Sequence, residues 1–239
     1  MATVEQETYL TVAQVRRIDR LAVEQYHIPS IVLMENAARS ALAAIVEFRP
    51  PAANVRATIL VGAGNNGGDG LALARLMHNA GYTVRVVYAV KPDALTGDAA
   101  VNRDIVGAMG LACETLRDGD QVHLGRAEAL FAASELVVDA LLGTGLSGAV
   151  RSPLRELIGL LNAQPKLPVV ALDIPSGFDA DTGMPAGDGD GEAVVAELTV
   201  TFAANKVGFA QEGAEAYTGR VVVGPIGVPR ELLRQVANT

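Results

Sequence analysis

The sequence contains no tryptophan, and aromatic residues make up only 4% of its 239 residues. A buried core must therefore be built from the abundant Ala, Val and Leu residues and from the 25 glycines. Small residues of this kind suit closely packed helices on buried parallel strands better than they suit an all-β sandwich. The composition favours an α/β fold, and the length is that of one large domain, which we expect to span residues 1–239.

Cysteine and histidine are also scarce. Cys113 is the one cysteine, so no disulfide can form within the chain, as is typical of a reducing compartment. None of the three histidines lies near the glycine-rich segments described below, which argues against a Ser-His-Asp triad. The patterns GxxxxGK[ST], HExxH, CxxC and GxSxG are absent as well, so the sequence does not predict a P-loop, a zincin, a thiol redox site or a nucleophile elbow.

Basic residues are outnumbered, with 19 Lys and Arg against 27 Asp and Glu and a formal charge of −8. A nucleic-acid surface needs a concentrated basic patch, and the sequence has none. No apolar run approaches the ~20 residues of a membrane span. The N-terminal residues MATVEQETYL are polar and acidic rather than those of a secretion signal. We therefore expect a cytoplasmic protein that binds neither nucleic acid nor membrane.

Apolar runs and helical patterns alternate along most of the chain. Thr11 and Gln14 have the spacing of a capping box before a first helix, and a second helix follows up to Pro50. The runs ATILVG, TVRVVYAV, ELVVDALLG, PVVALDIP, ELTVTF and VVVGPIGV are typical of buried strands, and LACETL is a weaker candidate. Helices are predicted over 97–109 and 154–162, and the Gly- and Asp-rich residues 179–191 are predicted as a loop. The pattern predicts a three-layer, Rossmann-like open sheet, mostly parallel, with helices on both faces.

The first glycine-rich segment, Val61 to Gly70, carries a GxGxxG pattern between a strand and a helix. This pattern favours contact with a phosphate or nucleotide, although a tight turn alone could explain it. The acid that usually binds ribose at the end of the second strand is missing, and Asp69 is predicted to lie in the loop of this segment instead. Asn65, Asn66 and Asp69 offer hard oxygens suited to a sugar or to K⁺, Na⁺ or Mg²⁺, or they could simply stabilise a turn.

Two further strands end in polar residues. Asp139 ends the strand before a second GxGxxG pattern, and Asp173 and Ser176 follow the next strand. An acid on an apolar strand is costly unless it is hydrogen-bonded or bound to a cation, although Asp139 could also cap the next loop. Ligands of open α/β sheets bind at the carboxyl ends of the strands. We therefore expect Asn66, Asp139, Asp173 and Ser176 to converge.

Four segments together resemble the NAD(P)H-hydrate epimerase family, also called the YjeF N-terminal domain family. They are GAGNNGGDGLALARLMHNAGYTVRVV, VVDALLGTGLSGAVRSP, ALDIPSGFDADTG and TVTFAANKVGF, and YHIPSIVLMENAAR is similar too. The resemblance covers roughly residues 10 to 228. It implies a Rossmann-like fold and interconversion of the R and S epimers of hydrated NADH and NADPH, named NADHX and NADPHX, in nicotinamide-nucleotide repair.

The resemblance also implies roles for particular residues. One K⁺ ion per subunit would be bound by Asn66, Asp139 and Ser176. The substrate would be contacted by Asp173 and by two runs: Asn65, Asn66, Gly67, Gly68 and Asp69, and Gly143, Thr144, Gly145, Leu146, Ser147, Gly148 and Ala149. A homodimer is expected, and because the chain stops before the dehydratase domain that many relatives carry, a separate dehydratase should act downstream.

Epimerisation moves protons, because the hydroxyl must leave and return or the ring must open and close. Asp173, at the end of a buried strand, is the candidate acid or base, although it could simply position the substrate. Lys206 could assist electrostatically, or it could be a surface lysine. Two other functions stay open: a non-catalytic nucleotide-binding or dimerising scaffold, and an NAD(P)-dependent dehydrogenase, which the missing ribose acid disfavours.

Overall fold

The structure is a computed structural model that describes residues 8–51, 55–118, 121–187, 189 and 191–238. Its elements in chain order are β1 (Tyr9–Leu10), α1 (Val12–Glu24), α2 (Ser30–Phe48), β2 (Arg56–Val61), α3 (Asn65–Asn79), β3 (Thr83–Tyr88), α4 (Gly97–Ala108), β4 (Ala112–Thr115), β5 (Arg117–Asp118), β6 (Gln121–Val122), α5 (Leu124–Ala132), β7 (Leu136–Ala140), α6 (Leu154–Asn162), β8 (Val169–Leu172), β9 (Leu198–Phe202), β10 (Asn205–Lys206), α7 (Glu215–Thr218), β11 (Arg220–Gly224) and α8 (Arg230–Ala237).

Seven parallel strands form the main sheet in the order β11-β9-β8-β7-β2-β3-β4. The six apolar runs with the clearest strand pattern form β2, β3, β7, β8, β9 and β11, and the weak run LACETL forms the edge strand β4. Strands β2, β7, β8 and β9 are buried on both faces almost throughout, which explains why their sequences are continuously apolar instead of alternating.

Helices cover both faces of the sheet, so the predicted three-layer, Rossmann-like architecture is confirmed. One face packs against α1, α2, α3, α4 and α8 through residues such as Ile18, Leu71 and Leu232. The other packs against α5 and α6 through Leu130 and Leu157. Gly70 lets α3 approach closely, because a Cβ there would lie 2.7 Å from the Cβ of Ala140 in β7.

The predicted helix boundaries agree closely with the structure. The capping box is present, since Thr11 Oγ1 accepts from the Gln14 N–H at 3.2 Å and Gln14 Oε1 accepts from the Thr11 N–H at 2.9 Å. Helix α4 ends one residue before the predicted limit, and α6 matches residues 154–162. The described part of 179–191 has neither helix nor strand, apart from one bridge between Phe178 and Pro185.

The strand order reverses between β2 and β7. From β2 the chain proceeds to β3 and β4 on one side, and from β7 it proceeds to β8 and β9 on the other. The connections after these two strands therefore leave in opposite directions and open a crevice at their carboxyl ends. Both glycine-rich segments lie at this crevice. Among the described residues, no helix has the length and apolar character needed to cross a membrane.

Candidate active site

A cavity of about 1210 Å³ opens at this crevice. Its walls come from the ends of β2, β7, β8 and β9 and from helices α1, α2 and α3. Of the residues that the sequence predicts to contact substrate, ten line the cavity: Asn65, Asn66, Asp69, Gly143, Thr144, Gly145, Leu146, Ser147, Ala149 and Asp173. The cavity is large enough for a nucleotide, since pockets for drug-sized ligands span roughly 300–1000 Å³.

Two glycines after β2 are required by close backbone packing. A Cβ on Gly62 would lie 1.7 Å from the carbonyl oxygen of Leu141, and one on Gly67 would lie 2.2 Å from the carbonyl oxygen of Gly62. Gly62 also donates its N–H to Ala140 O at 3.0 Å, which fastens the turn to the end of β7. Gly64 has open space around its Cβ position and serves as the N-cap of α3.

The segment from Asn65 to Asp69 is the start of helix α3, and the prediction that Asp69 lies in a loop is wrong. The extended backbone of Gly64 lets the helix begin at Asn65, even though the two following glycines weaken helix propensity. Gly67 and Gly68 do not line the cavity: a Cβ on Gly68 would meet Met34 Cε at 2.6 Å, so both residues are packing positions. Gly148, with φ at +74°, is likewise outside the lining.

Asn66, Asp139 and Ser176 form one polar network around the backbone of Leu142. Asn66 Nδ2 donates to Leu142 O at 3.0 Å, and the Leu142 N–H donates to Ser176 Oγ at 2.8 Å. Ser176 donates to Asp139 twice, from its hydroxyl at 2.6 Å and from its N–H at 2.7 Å. The structure therefore brings these three predicted residues together, with Asp173 and Asn66 on the same cavity.

Two features of this network are unusual for a buried cluster. Asn66 Oδ1 is buried and has no hydrogen-bond partner within the described chain, which is costly for a carbonyl oxygen. Asp139 is fully buried, and loss of hydration raises its pKa to about 6, although hydrogen bonds from Ser176 and Leu141 act in the opposite direction. An oxygen-coordinated cation would satisfy both groups.

Asp173 forms an ion pair with Lys206 at the cavity floor. Lys206 Nζ lies 2.6 Å from Asp173 Oδ1, and it also donates to Thr201 Oγ1 at 2.7 Å and to Phe202 O at 3.0 Å. The lysine side chain is 0% exposed, so the alternative of a surface lysine is wrong. Strand β10 holds it there by pairing Lys206 with Leu10 of β1.

Two further carboxyl groups belong to the same cavity. Asp69 is buried, and loss of hydration together with the charges of Asp173, Asp19 and Asp98 holds its pKa well above the ordinary value. Asp19 comes from α1 and is open to the cavity. Partial loss of hydration and the charge of Asp173 nevertheless raise its pKa to about 6. Asp19 is not among the residues predicted from the sequence, although its position beside the buried Val15 and Ile18 on α1 indicates an inward-facing acid.

The segment Gly143–Ala149, which we call the β7 loop, leaves most of its backbone N–H groups without a partner in the described part of the chain. Among its N–H groups, only that of Leu146 makes a hydrogen bond to a described residue, to Gly143 O at 3.3 Å. Free backbone N–H groups in a glycine-rich connection are well suited to an anion such as phosphate.

The comparisons with known proteins agree with this geometry. A family model described as "YjeF-related protein N-terminus" matches residues 30–208. The chain is 43% identical to the NAD(P)H-hydrate epimerase of Rhodopirellula baltica over 95% of this chain and 87% of that protein. It is 37% identical to the NAD(P)H-hydrate epimerase of Limosilactobacillus fermentum over 91% of this chain and 96% of that protein.

A longer relative and a solved structure complete the comparison. The bifunctional NAD(P)H-hydrate repair enzyme Nnr of Moorella thermoacetica is 40% identical over 94% of this chain, which spans only 41% of that enzyme. The crystal structure of yeast ynu0 has the same fold, with a TM-score of 0.79 at 22% identity over 95% of this chain and 93% of that one. The chain therefore belongs to the family described as YjeF-related protein N-terminus.

Proposed function

We propose that this chain is an NAD(P)H-hydrate epimerase, which interconverts the R and S forms of hydrated NADH and NADPH. The observation that carries the proposal is the cavity at the β2–β7 crevice. It combines free backbone donors on the β7 loop with the Asp173–Lys206 pair at the cavity floor. Relatives that bear this name and cover most of the chain support the same activity.

The reaction requires proton transfer but no net change in protons. Whether the hydroxyl leaves and returns or the ring opens and closes, an oxygen must gain a proton in one direction and lose it in the other. Asp173 faces the cavity and can exchange a proton with the substrate. Lys206 donates a hydrogen bond to Asp173 Oδ1 at 2.6 Å and so fixes the orientation of this carboxyl group toward the substrate.

Asp69 complements Asp173 in this scheme. Burial and three neighbouring acids favour its neutral form, which can donate a hydrogen bond or a proton to the hydroxyl of the hydrate. Two carboxyl groups in one cavity are a common arrangement for acid-base chemistry, because one can donate a proton while the other accepts one. Burial points to Asp69 as the acid, and Asp173, which lines the same cavity, is left as the base.

A K⁺ ion is part of the proposal, with one ion per subunit. Asn66, Asp139 and Ser176 would hold it, because the unpartnered Asn66 Oδ1 and the buried Asp139 carboxylate are hard oxygens without a compensating positive charge. When bound, K⁺ would offset the charge of Asp139 and fix the loop that follows β7.

The ion site has a test that does not depend on activity. Replacing KCl by choline chloride should lower the melting temperature of the wild-type protein by about 2–4 °C, which corresponds to roughly 1 kcal/mol of binding free energy. Asn66→Ala should abolish this difference. Asn162→Ala, which removes hydrogen bonds on α6 away from the site, should keep it. Equal melting temperatures of the wild type in the two salts would refute the ion site.

The function itself is tested with resolved NADHX. The wild-type protein should convert either epimer to a mixture of both, and Asp173→Asn should lower the rate by about 100-fold or more, since proton transfer by a positioned side chain contributes roughly 10²–10⁴-fold. The matched control is Asp104→Asn, on the surface of α4, where 69% of the side chain is exposed. A wild-type rate equal to that without protein would refute the proposal.

The cellular role is repair in the cytoplasm. The bifunctional relatives are named as repair enzymes, and this chain corresponds to about two fifths of their length. We propose that a dehydratase consumes the S epimer that this chain supplies. A homodimer also stays a prediction, to be measured by sedimentation.

A further inference from the structure

Helix α1 forms one wall of the cavity and reaches across to the β7 loop. Val15, Arg16, Asp19 and Val23 all line the cavity. Arg16 Nη2 donates a hydrogen bond to the carbonyl oxygen of Thr144, which lies 128 residues further along the chain. This contact places a guanidinium group directly beside the free backbone N–H groups of the loop.

Most of the N–H donors of Arg16 are available to bind an anion. A guanidinium carries five N–H donors, and the contact with Thr144 uses one of its nitrogen atoms. Within the described part of the chain, no carboxylate forms an ion pair with Arg16. Arg151 also lines the cavity without an ion pair to a described residue. Lys206, in contrast, is buried and committed to Asp173.

The cavity lining carries more acidic than basic residues: Asp19, Asp69, Asp98 and Asp173 against Arg16 and Arg151. Asp19 lies one turn from Arg16 on α1, and the charges of Asp19, Asp98 and Asp173 each raise the pKa of Asp69. Arg16 contacts the β7 loop, where N–H groups without a partner in the described chain also attract anions. A diphosphate brings two negative charges into a chain whose net charge is −8, so a cationic side chain beside the β7 loop favours its binding.

We propose that Arg16 binds the diphosphate of the dinucleotide substrate together with the β7 loop, and that it sets the affinity of the cavity for diphosphate-bearing ligands. The inference rests on the proposed function, because the diphosphate belongs to the hydrated NADH and NADPH named there. The planar guanidinium suits this role, since it can donate to a phosphate oxygen while it still holds Thr144.

The probe for this proposal is ADP-ribose, which keeps the diphosphate and lacks the nicotinamide ring. Its Kd is measured by calorimetry at constant K⁺ with choline chloride added to vary the ionic strength. Arg16→Gln should weaken binding by about 10- to 100-fold and reduce the dependence of Kd on salt, because a charged hydrogen bond is lost. Arg16→Lys keeps the charge but loses the planar guanidinium, so its Kd for ADP-ribose should lie between those of the wild type and Arg16→Gln.

Arg20→Gln is the matched control. Arg20 lies one turn further along α1, pairs with Glu24 at 3.9 Å and does not line the cavity, so its loss removes the same charge from the same helix. We expect its Kd and salt dependence to equal those of the wild type. In the epimerase assay, Arg16→Gln should raise KM by a similar factor to its effect on Kd and change kcat by less than about threefold, as expected for a group that binds equally in ground and transition states.

Three results would overturn the proposal: no binding of ADP-ribose by the wild type, an unchanged Kd in Arg16→Gln, or weaker binding with an unchanged salt dependence. The third would mean that Arg16 only holds the loop through Thr144. A protein that binds ADP-ribose through Arg16 but does not epimerise NADHX would refute the proposed function and leave this inference in place.

Discussion

The Asp173–Lys206 pair gives a quantitative test of how the site is built. Lys206 is 0% exposed and Asp173 is 17% exposed, so removal of the carboxylate leaves a buried positive charge. Asp173→Asn is the appropriate change, because the backbone at this position has φ of 61°, a left-handed conformation that Asn tolerates as well as Asp.

The expected magnitude follows from the contacts of the lysine. Breaking a buried ion pair by removing one partner costs about 3–5 kcal/mol. Lys206 keeps Thr201 Oγ1 at 2.7 Å and Phe202 O at 3.0 Å, and the new amide oxygen can also accept from it. We therefore expect Asp173→Asn to lower the free energy of unfolding by about 2–4 kcal/mol, somewhat less than the full cost.

A double-mutant cycle measured by urea denaturation separates the pair from its surroundings. Lys206→Met leaves the Asp173 carboxylate partly exposed, so it should lower the free energy of unfolding by less than Asp173→Asn does. The double variant has neither charge of the pair. Its loss of unfolding free energy should therefore be smaller than the sum of the losses in the two single variants by about 1–3 kcal/mol. Asp104→Asn, the exposed control, should change stability by less than about 0.5 kcal/mol.

Two outcomes would refute this reasoning. One is a loss below about 0.5 kcal/mol in Asp173→Asn, which is the size of an ordinary surface substitution. The other is a double variant whose loss equals the sum of the single losses within about 0.5 kcal/mol, the range for independent sites.

Two other predictions concern α3 and the turn before it. Gly62→Ala should lower the free energy of unfolding by more than about 3 kcal/mol or prevent folding, because its Cβ would lie 1.7 Å from Leu141 O. Gly64→Ala, whose Cβ would lie in open space, should lower the free energy of unfolding by less than about 1 kcal/mol. Similar losses in the two variants would contradict the packing argument. Asp69 has a raised pKa in the folded state, so its contribution to stability is complete below the unfolded pKa of about 4 and is lost as the pH rises through the folded value. Asp69→Asn should consequently be more stable than the wild type at pH 8, with the advantage absent at pH 4 in urea denaturation; equal stability at both pH values would show that Asp69 ionises freely.

The strands of the sheet could be predicted because each one has a recognisable apolar pattern within its own short segment of sequence. Strands such as β2 and β8 are buried on both faces, so each appears as a short continuous apolar run. The edge strand β4 is mostly exposed, which explains its weak pattern in LACETL. The two-residue pairing of β1 with β10 could not be predicted, because it joins Leu10 to Lys206 across most of the chain.

In the candidate site too, residues in local sequence patterns could be predicted, whereas residues placed by tertiary contacts could not. Asn66, Asp139, Asp173 and Ser176 were predictable because they end a strand, follow a strand or open a helix at one edge of the sheet. Arg16 and Asp19 were not, because they lie on a helix whose docking against the β7 loop is a tertiary contact. The burial of Lys206 was missed for the same reason, since Asp173 provides the partner that makes a buried lysine tolerable.

The first turn of α3 is helical because of tertiary packing, although its glycines have a low intrinsic helix propensity. The GxGxxG pattern after β2 predicted a loop that includes Asp69, whereas α3 begins at Asn65 despite two glycines, which are poor helix formers. The close approach of Gly67 to Gly62 and of Gly68 to Met34 requires residues without a Cβ. Helix formation at these glycines consequently depends on contacts that the local sequence does not contain.

The most direct test of the account is epimer conversion by the wild-type protein, followed by chromatography that separates the two forms of NADHX. Starting from either epimer, the account predicts approach to the same mixture, with the rate proportional to protein concentration and reduced by about 100-fold in Asp173→Asn. Conversion no faster than in the absence of protein would contradict the central claim. A fully active Asp173→Asn variant would contradict the assignment of the site.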